Sequence, residues 1–156
     1  MKHISEETRG NMECVESIDF NKFELAIQQE LERTPKHLIV EGYLSCCDFQ
    51  IVSKYFDWII FLDTTNSEVA KQRRWNRSKR KNDFEEFSQH FDSHIWKYYL
   101  KYRNMQMENI IKSGKSFVCI NVDEKSAKDV QKLIDQFVLD GNLPNQPPEW
   151  YQPHSE

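Results

Sequence analysis

Apolar positions recur along the chain in two rhythms, helical spacing and short unbroken runs, and their alternation predicts the elements. From Asp19 to Arg33, Phe20, Phe23, Ile27 and Leu31 fall at helical spacing, acids and amides lie opposite, and Pro35 closes the segment. Leu38-Ile39-Val40 is a short apolar run ending in Glu41-Gly42. It predicts a buried parallel strand with a carboxylate at its C-terminal tip. A short helix is expected from Asp48 to Tyr55, then a second buried strand, WIIFL, from Trp58 to Leu62, ending at Asp63. Thr65 and Glu68 have the spacing of a capping box and predict the next helix start. Polar residues 80–90 lead into a long helix from about Asp92 to Lys112, with Ile95, Trp96, Tyr99, Leu100, Met107, Ile110 and Ile111 on one face. Phe117 to Ile120 predicts a third buried strand. Ser126 is placed to cap a last helix carrying Val130, Leu133, Ile134, Phe137 and Val138 at i, i+3, i+4, i+7 and i+8. Strands alternating with helices imply an α/β sheet, parallel by the crossover rule.

Composition narrows the class. The 156 residues suit one domain, taken here as 1–140, with 141–156 a proline-rich irregular tail to which Trp150 and Tyr151 offer docking points. An aromatic share of 13% is foreign to disordered chains. No apolar run approaches the ~18 residues of a membrane span, and MKHISEETRG has no apolar signal segment, so a cytoplasmic protein away from membranes is expected. The four glycines, Gly10, Gly42, Gly114 and Gly141, cannot compose G-x-x-x-x-G-K-[ST], G-x-G-x-x-G or G-x-S-x-G. The four cysteines form no C-x-x-C pair, which argues for reduced thiols, with Cys119 in the core.

Charge then points to one place. Net charge is −4, yet residues 71–81, KQRRWNRSKRK, hold seven basic side chains and no acid, leaving 14 basic against 25 acidic residues elsewhere. An acidic body with one basic arm does not suit a general nucleic-acid binder; it suits a protein that meets phosphate locally. Arg73 and Arg77, at i and i+4, share a helix side, where two guanidiniums can grip one polyphosphate. The plain alternative is a solvated face or a nuclear-localisation stretch. Glu41 at a strand tip would face the crevice where parallel sheets bind ligands. Gly114-Lys115-Ser116 imitates a Walker A tail, but its order is helix, turn, strand, so a glycine-terminated helix is the better reading. His90 and His94 could share a helix face as a metal pair would, with no third ligand at sensible spacing, which favours a surface or packing role.

HLIVEGYL, WIIFLD, EVAKQRRWNR and HFDSHIWKYYLKYR, in that order, resemble consecutive blocks of the nicotinamide riboside kinases, within the uridine-kinase-like P-loop group. FDSHIWKYYLKYR is the most specific block, and the resemblance spans roughly residues 9–138. It implies a three-layer parallel sheet flanked by helices and transfer of the γ-phosphoryl of magnesium–ATP to a ribose 5′-hydroxyl, a step of NAD biosynthesis. By position, Glu41 resembles the carboxylate near magnesium and its water. Arg73, Arg74 and Arg77 resemble the lid arginines, with Arg74 on the substrate side. Glu13, beside Met12, resembles the acid that holds the ribose hydroxyls, and Lys125 and Ser126 fall where the family lines its adenine site. The family's first strand, phosphate loop, first helix and second strand, with the Walker lysine, magnesium-binding hydroxyl and catalytic Asp, have no counterpart in these residues. Met12 and Lys79 stand where the family sandwiches its base between aromatics. The resemblance therefore implies an N-terminally incomplete nucleoside-kinase domain, inactive as it stands and inclined to self-associate. The other reading is a non-catalytic paralogue or isoform that binds or regulates, for example by pairing with a full-length relative.

Overall fold

WIIFLD and SFVCIN pair directly with each other. The computed structural model of the chain describes residues 13–77, 83–141 and 143–152. In it, β1 (Trp58–Asp63) and β2 (Ser116–Asn121) form a parallel two-stranded sheet, in register from Trp58 opposite Ser116 to Asp63 opposite Asn121. Residues in register share a face, because side chains alternate along each strand. Ile60 with Val118, and Ile120, face α6 (Ala127–Asp140), whose Leu133, Ile134 and Phe137 close that side together with Leu143. Ile59, Phe61, Asp63 and Phe117 are buried on the opposite face. The architecture is thus α/β with a small parallel sheet.

The chain divides into two compact units: residues up to Phe56 with Tyr98–Gly114, and Asp57–Lys97 with Lys115 onward. The second holds the sheet, α6, α3 (Ser67–Arg77) and α4 (Phe84–His90). Helix α6 starts at the expected Ser126, which forms a capping box with Asp129, and stops at Gly141 in the left-handed region, φ 64°. Helix α3 is capped by Asn66, whose Oδ1 accepts from the amides of Glu68 (3.1 Å) and Val69 (3.2 Å). The Thr65–Glu68 capping box does not form, because the Thr65 hydroxyl is drawn to Asp123 instead. Helix α4 arises where a polar connector was expected. Asp83 caps it, and Phe84 and Phe87 pack on Trp75 of α3 with ring centroids 5.2 Å apart in each pair. The helix continues through a π turn, Phe91–Ile95, into α5 (Trp96–Ser113), so the expected long helix begins a full two turns early.

The first unit packs α1 (Phe20–Glu32), α2 (Phe49–Tyr55) and the greater part of α5. Asp19 and Asp48 cap α1 and α2. Glu24 ties them together, accepting from Tyr55 Oη at 2.6 Å and Lys54 Nζ at 3.0 Å. Cys14, Leu44 and Tyr102 form the buried cluster. Asn109 Nδ2 donates to the carbonyls of Cys46 and Cys47, both at 3.0 Å, and fixes the 44–47 turn on α5. Gly114, φ 65°, ends α5, as expected for a glycine-terminated helix. No helix among the described residues is long and apolar enough to cross a membrane.

The expected strand Leu38–Val40 is the main correction. These residues are irregular, and Ile39 is 90% exposed. Three apolar residues between His37 and Glu41 make too short a run to hold a ladder without a neighbour. Both longer strands lie in the other unit and pair with each other. Among the described residues the sheet therefore has two strands rather than the three expected from the sequence.

Candidate functional site at the strand ends

The C-terminal end of the sheet gathers the most polar chemistry of the second unit. Asp123, just past β2, accepts hydrogen bonds from the Thr64 hydroxyl, the Thr65 amide (2.9 Å), the Thr65 hydroxyl (2.8 Å) and the Asn66 amide (3.1 Å). It thereby holds the chain leaving β1 against the chain leaving β2, just ahead of the first turn of α3. Burial pushes its carboxyl up, but the Thr64 and Thr65 donors outweigh this and hold it below the usual carboxylate range.

Arg73 reaches back from α3 to the same turn. Its Nη2 donates to the carbonyls of Asp123 (3.0 Å) and Lys125 (3.2 Å). Of the expected site residues, Arg73, Lys125 and Ser126 are thus brought to one place, with Arg73 built into its framework. The Ser126 hydroxyl is engaged in the α6 cap, donating to Asp129 Oδ2 at 2.6 Å and accepting from the Asp129 amide at 3.2 Å. Arg74 and Arg77 lie in the last turn of α3, Arg74 half-buried and Arg77 exposed.

The basic arm is not uniformly solvated. Lys71 is buried and bonds Glu68 and Asp92, both at 2.9 Å, with its ammonium 5.8 Å from the Phe91 ring centroid. The carboxylates of Asp92 and then Glu68 raise its pKa above the ordinary lysine value despite burial. This lysine fastens α3 to the π turn, so Arg74 and Arg77 rise from a fixed base. Residues 78–81 of the arm, Lys79 included, lie outside the described residues.

Glu41 and Glu13 belong to the first unit. Glu41 is exposed and follows an irregular segment, so its strand-tip placement is corrected together with the strand. Glu13 is half-buried beside the Cys14 cluster, and Met12 falls outside the described residues. The His90 and His94 rings stack at 5.2 Å on the exposed side of the helix. Among the described residues, no three acidic, histidine or cysteine side chains converge as a metal cluster.

Two carboxylates at the strand ends lie outside the set expected from the sequence. Asp63 ends β1. It is 2% exposed and accepts from the Trp150 indole, Nε1 to Oδ2, at 2.6 Å. Asp123 follows β2 by two residues, and the Thr64-Thr65 pair that feeds it was the available signal. Against known proteins, the chain matches no family model, no curated protein and no solved structure.

Proposed function

We propose that the chain is a nicotinamide-riboside-kinase-like protein, by class an ATP-dependent phosphotransferase acting on a nucleoside ribose hydroxyl. As these 156 residues stand, it binds polyphosphate without transferring it. The observation that carries this reading is the tie from Arg73 to the Asp123 and Lys125 carbonyls. It sets an arginine helix beside the turn after β2, at the sheet end where α/β proteins bind their ligands. The resemblance assigns those two segments to the lid and to the adenine site, and a lid helix and a nucleotide site must adjoin. Arg74 and Arg77 supply guanidiniums whose forked donors suit phosphate oxygens. Magnesium ordinarily arrives on the nucleotide's phosphates and takes one or two carboxylates, so a dedicated cage is not required.

Transfer is a different matter. It depends on amides and a lysine that cradle the β- and γ-phosphates, and the sequence contains no G-x-x-x-x-G-K-[ST]. These 156 residues are therefore expected to bind without turnover, and a non-catalytic binding or regulatory partner is the alternative reading. Calorimetric titration with magnesium–ATP at low salt tests the reading. Weak binding that fades as salt rises is expected, and Arg74→Ala/Arg77→Ala should abolish it. Equal binding by a folded double variant would refute the lid assignment.

A further inference from the structure

Residues 143–152 follow α6 and cross the sheet in two differently held parts. The first part is an anchor. Leu143 is buried against Val118 and Ile120 on the α6 face. Asn145, in the left-handed region at φ 52°, bonds Phe117 twice, its amide donating to the Phe117 carbonyl at 3.0 Å and its Oδ1 accepting from the Phe117 amide at 2.6 Å. Both backbone groups of Phe117 point away from β1, so the anchor closes the outer edge of β2. The second part is mostly exposed. Gln146, Pro147 and Glu149 are exposed, and the segment meets β1 through the Trp150 indole on the Asp63 carboxylate. Leu143 lies on the α6 face and Asp63 on the other, so the segment passes round the β2 edge to reach it.

We propose that 143–152 is a strap closing the C-terminal end of β1, with the Trp150 indole N–H occupying the place of a ligand's hydroxyl donor on Asp63. A buried carboxylate must keep a hydrogen-bond partner, and the indole supplies one while the strap is shut. A sugar hydroxyl is a donor of the same kind, so strap and nucleoside compete for Asp63. The identity of that competitor rests on the function proposed above; the strap itself does not.

Carbodiimide coupling of an amine to Asp63, followed by mass spectrometry, reads the opening directly. In the parent chain Asp63 should label slowly. In Trp150→Ala and in Trp150→Phe, which keeps a ring but removes the N–H, it should label roughly tenfold faster, as expected for the loss of a hydrogen bond to a charged group. Exposed Asp140 should label equally in all three chains. Parent-like Asp63 labelling in both variants, at unchanged melting temperature, overturns the strap. Should Trp150→Ala fail to fold, Trp150→Phe decides alone. Nicotinamide riboside should slow Asp63 labelling in Trp150→Phe; fast labelling indifferent to the riboside keeps the strap and refutes the nucleoside as its competitor.

Discussion

Replacing Asp123 with alanine removes the acceptor on which the strand-end site is built. The carboxylate serves two hydroxyls and two backbone amides. Thr65 and Asn66 are exposed, so water takes over part of what their donors lose, whereas Thr64 is half-buried. Loss of a cap-like acceptor for two amides costs ~1 kcal/mol, and a half-buried hydroxyl left without its charged partner costs another ~1 kcal/mol. The expected total of about 2 kcal/mol lowers the melting temperature by roughly 4–8 °C for a chain of this size. Asp123→Asn keeps an acceptor and should lose about half as much. The pH dependence has a definite sign. The folded carboxyl is depressed below its ordinary pKa, so its stabilisation is fully present above the unfolded value of about 3.9 and disappears as pH falls through the folded value. The gap between parent and Asp123→Asn should therefore be constant from neutrality to about pH 5 and close only below about pH 4. Thermal melts followed by circular dichroism across that range measure it. A neutral-pH loss under about 1 °C for Asp123→Ala, or a gap that persists unchanged in strong acid, would refute the reasoning.

Burial pushes the Cys46 thiol up to about 11 and the Cys47 thiol, beside Cys46, up to about 12, so both should resist alkylation in the native chain near neutral pH and react promptly in denaturant; prompt native labelling at either would contradict the packing of the 44–47 turn. Purified 156-residue protein should show no phosphorylation of nicotinamide riboside from magnesium–ATP, and turnover that Glu41→Gln abolishes would overturn this. The outer edge of β1 has no strand partner among the described residues, and Trp58 and Leu62 beside it are 45% and 50% exposed. Sedimentation should reveal concentration-dependent association, reduced by Leu62→Lys, whereas a strict monomer at every concentration would show that the edge is protected.

Local rules made much of this fold legible. Asp19, Asp48 and Ser126 announce their helices because a cap acts within three residues of itself, and Gly114 and Gly141 end theirs for an equally local reason. The WIIFLD and SFVCIN strands follow from long apolar runs. Failures arose where pairing at a distance decides. Leu38–Val40 has the right residues for a strand, yet Ile39 lies open because no ladder forms beside it. Thr65 fits a capping box, but Asp123, 58 residues away in sequence, takes its hydroxyl. Lys71 looks like one more charge in a solvated arm, and only the fold brings Asp92 within 2.9 Å of it. The site was legible in the same partial way. Spacing drew attention to Arg73 and Arg77, but no pattern shows that Arg73 is tied to two backbone carbonyls or that Trp150 reaches Asp63.

Backbone amide shifts recorded while magnesium–ATP is added at low salt test the central claim most directly, because they report both binding and its location. The largest changes should fall in the second half of α3, around Arg74 and Arg77, and in the turn from Asp123 to Ser126, with smaller ones elsewhere. An unchanged spectrum at millimolar nucleotide, or changes confined to helices α1 and α2, would contradict it.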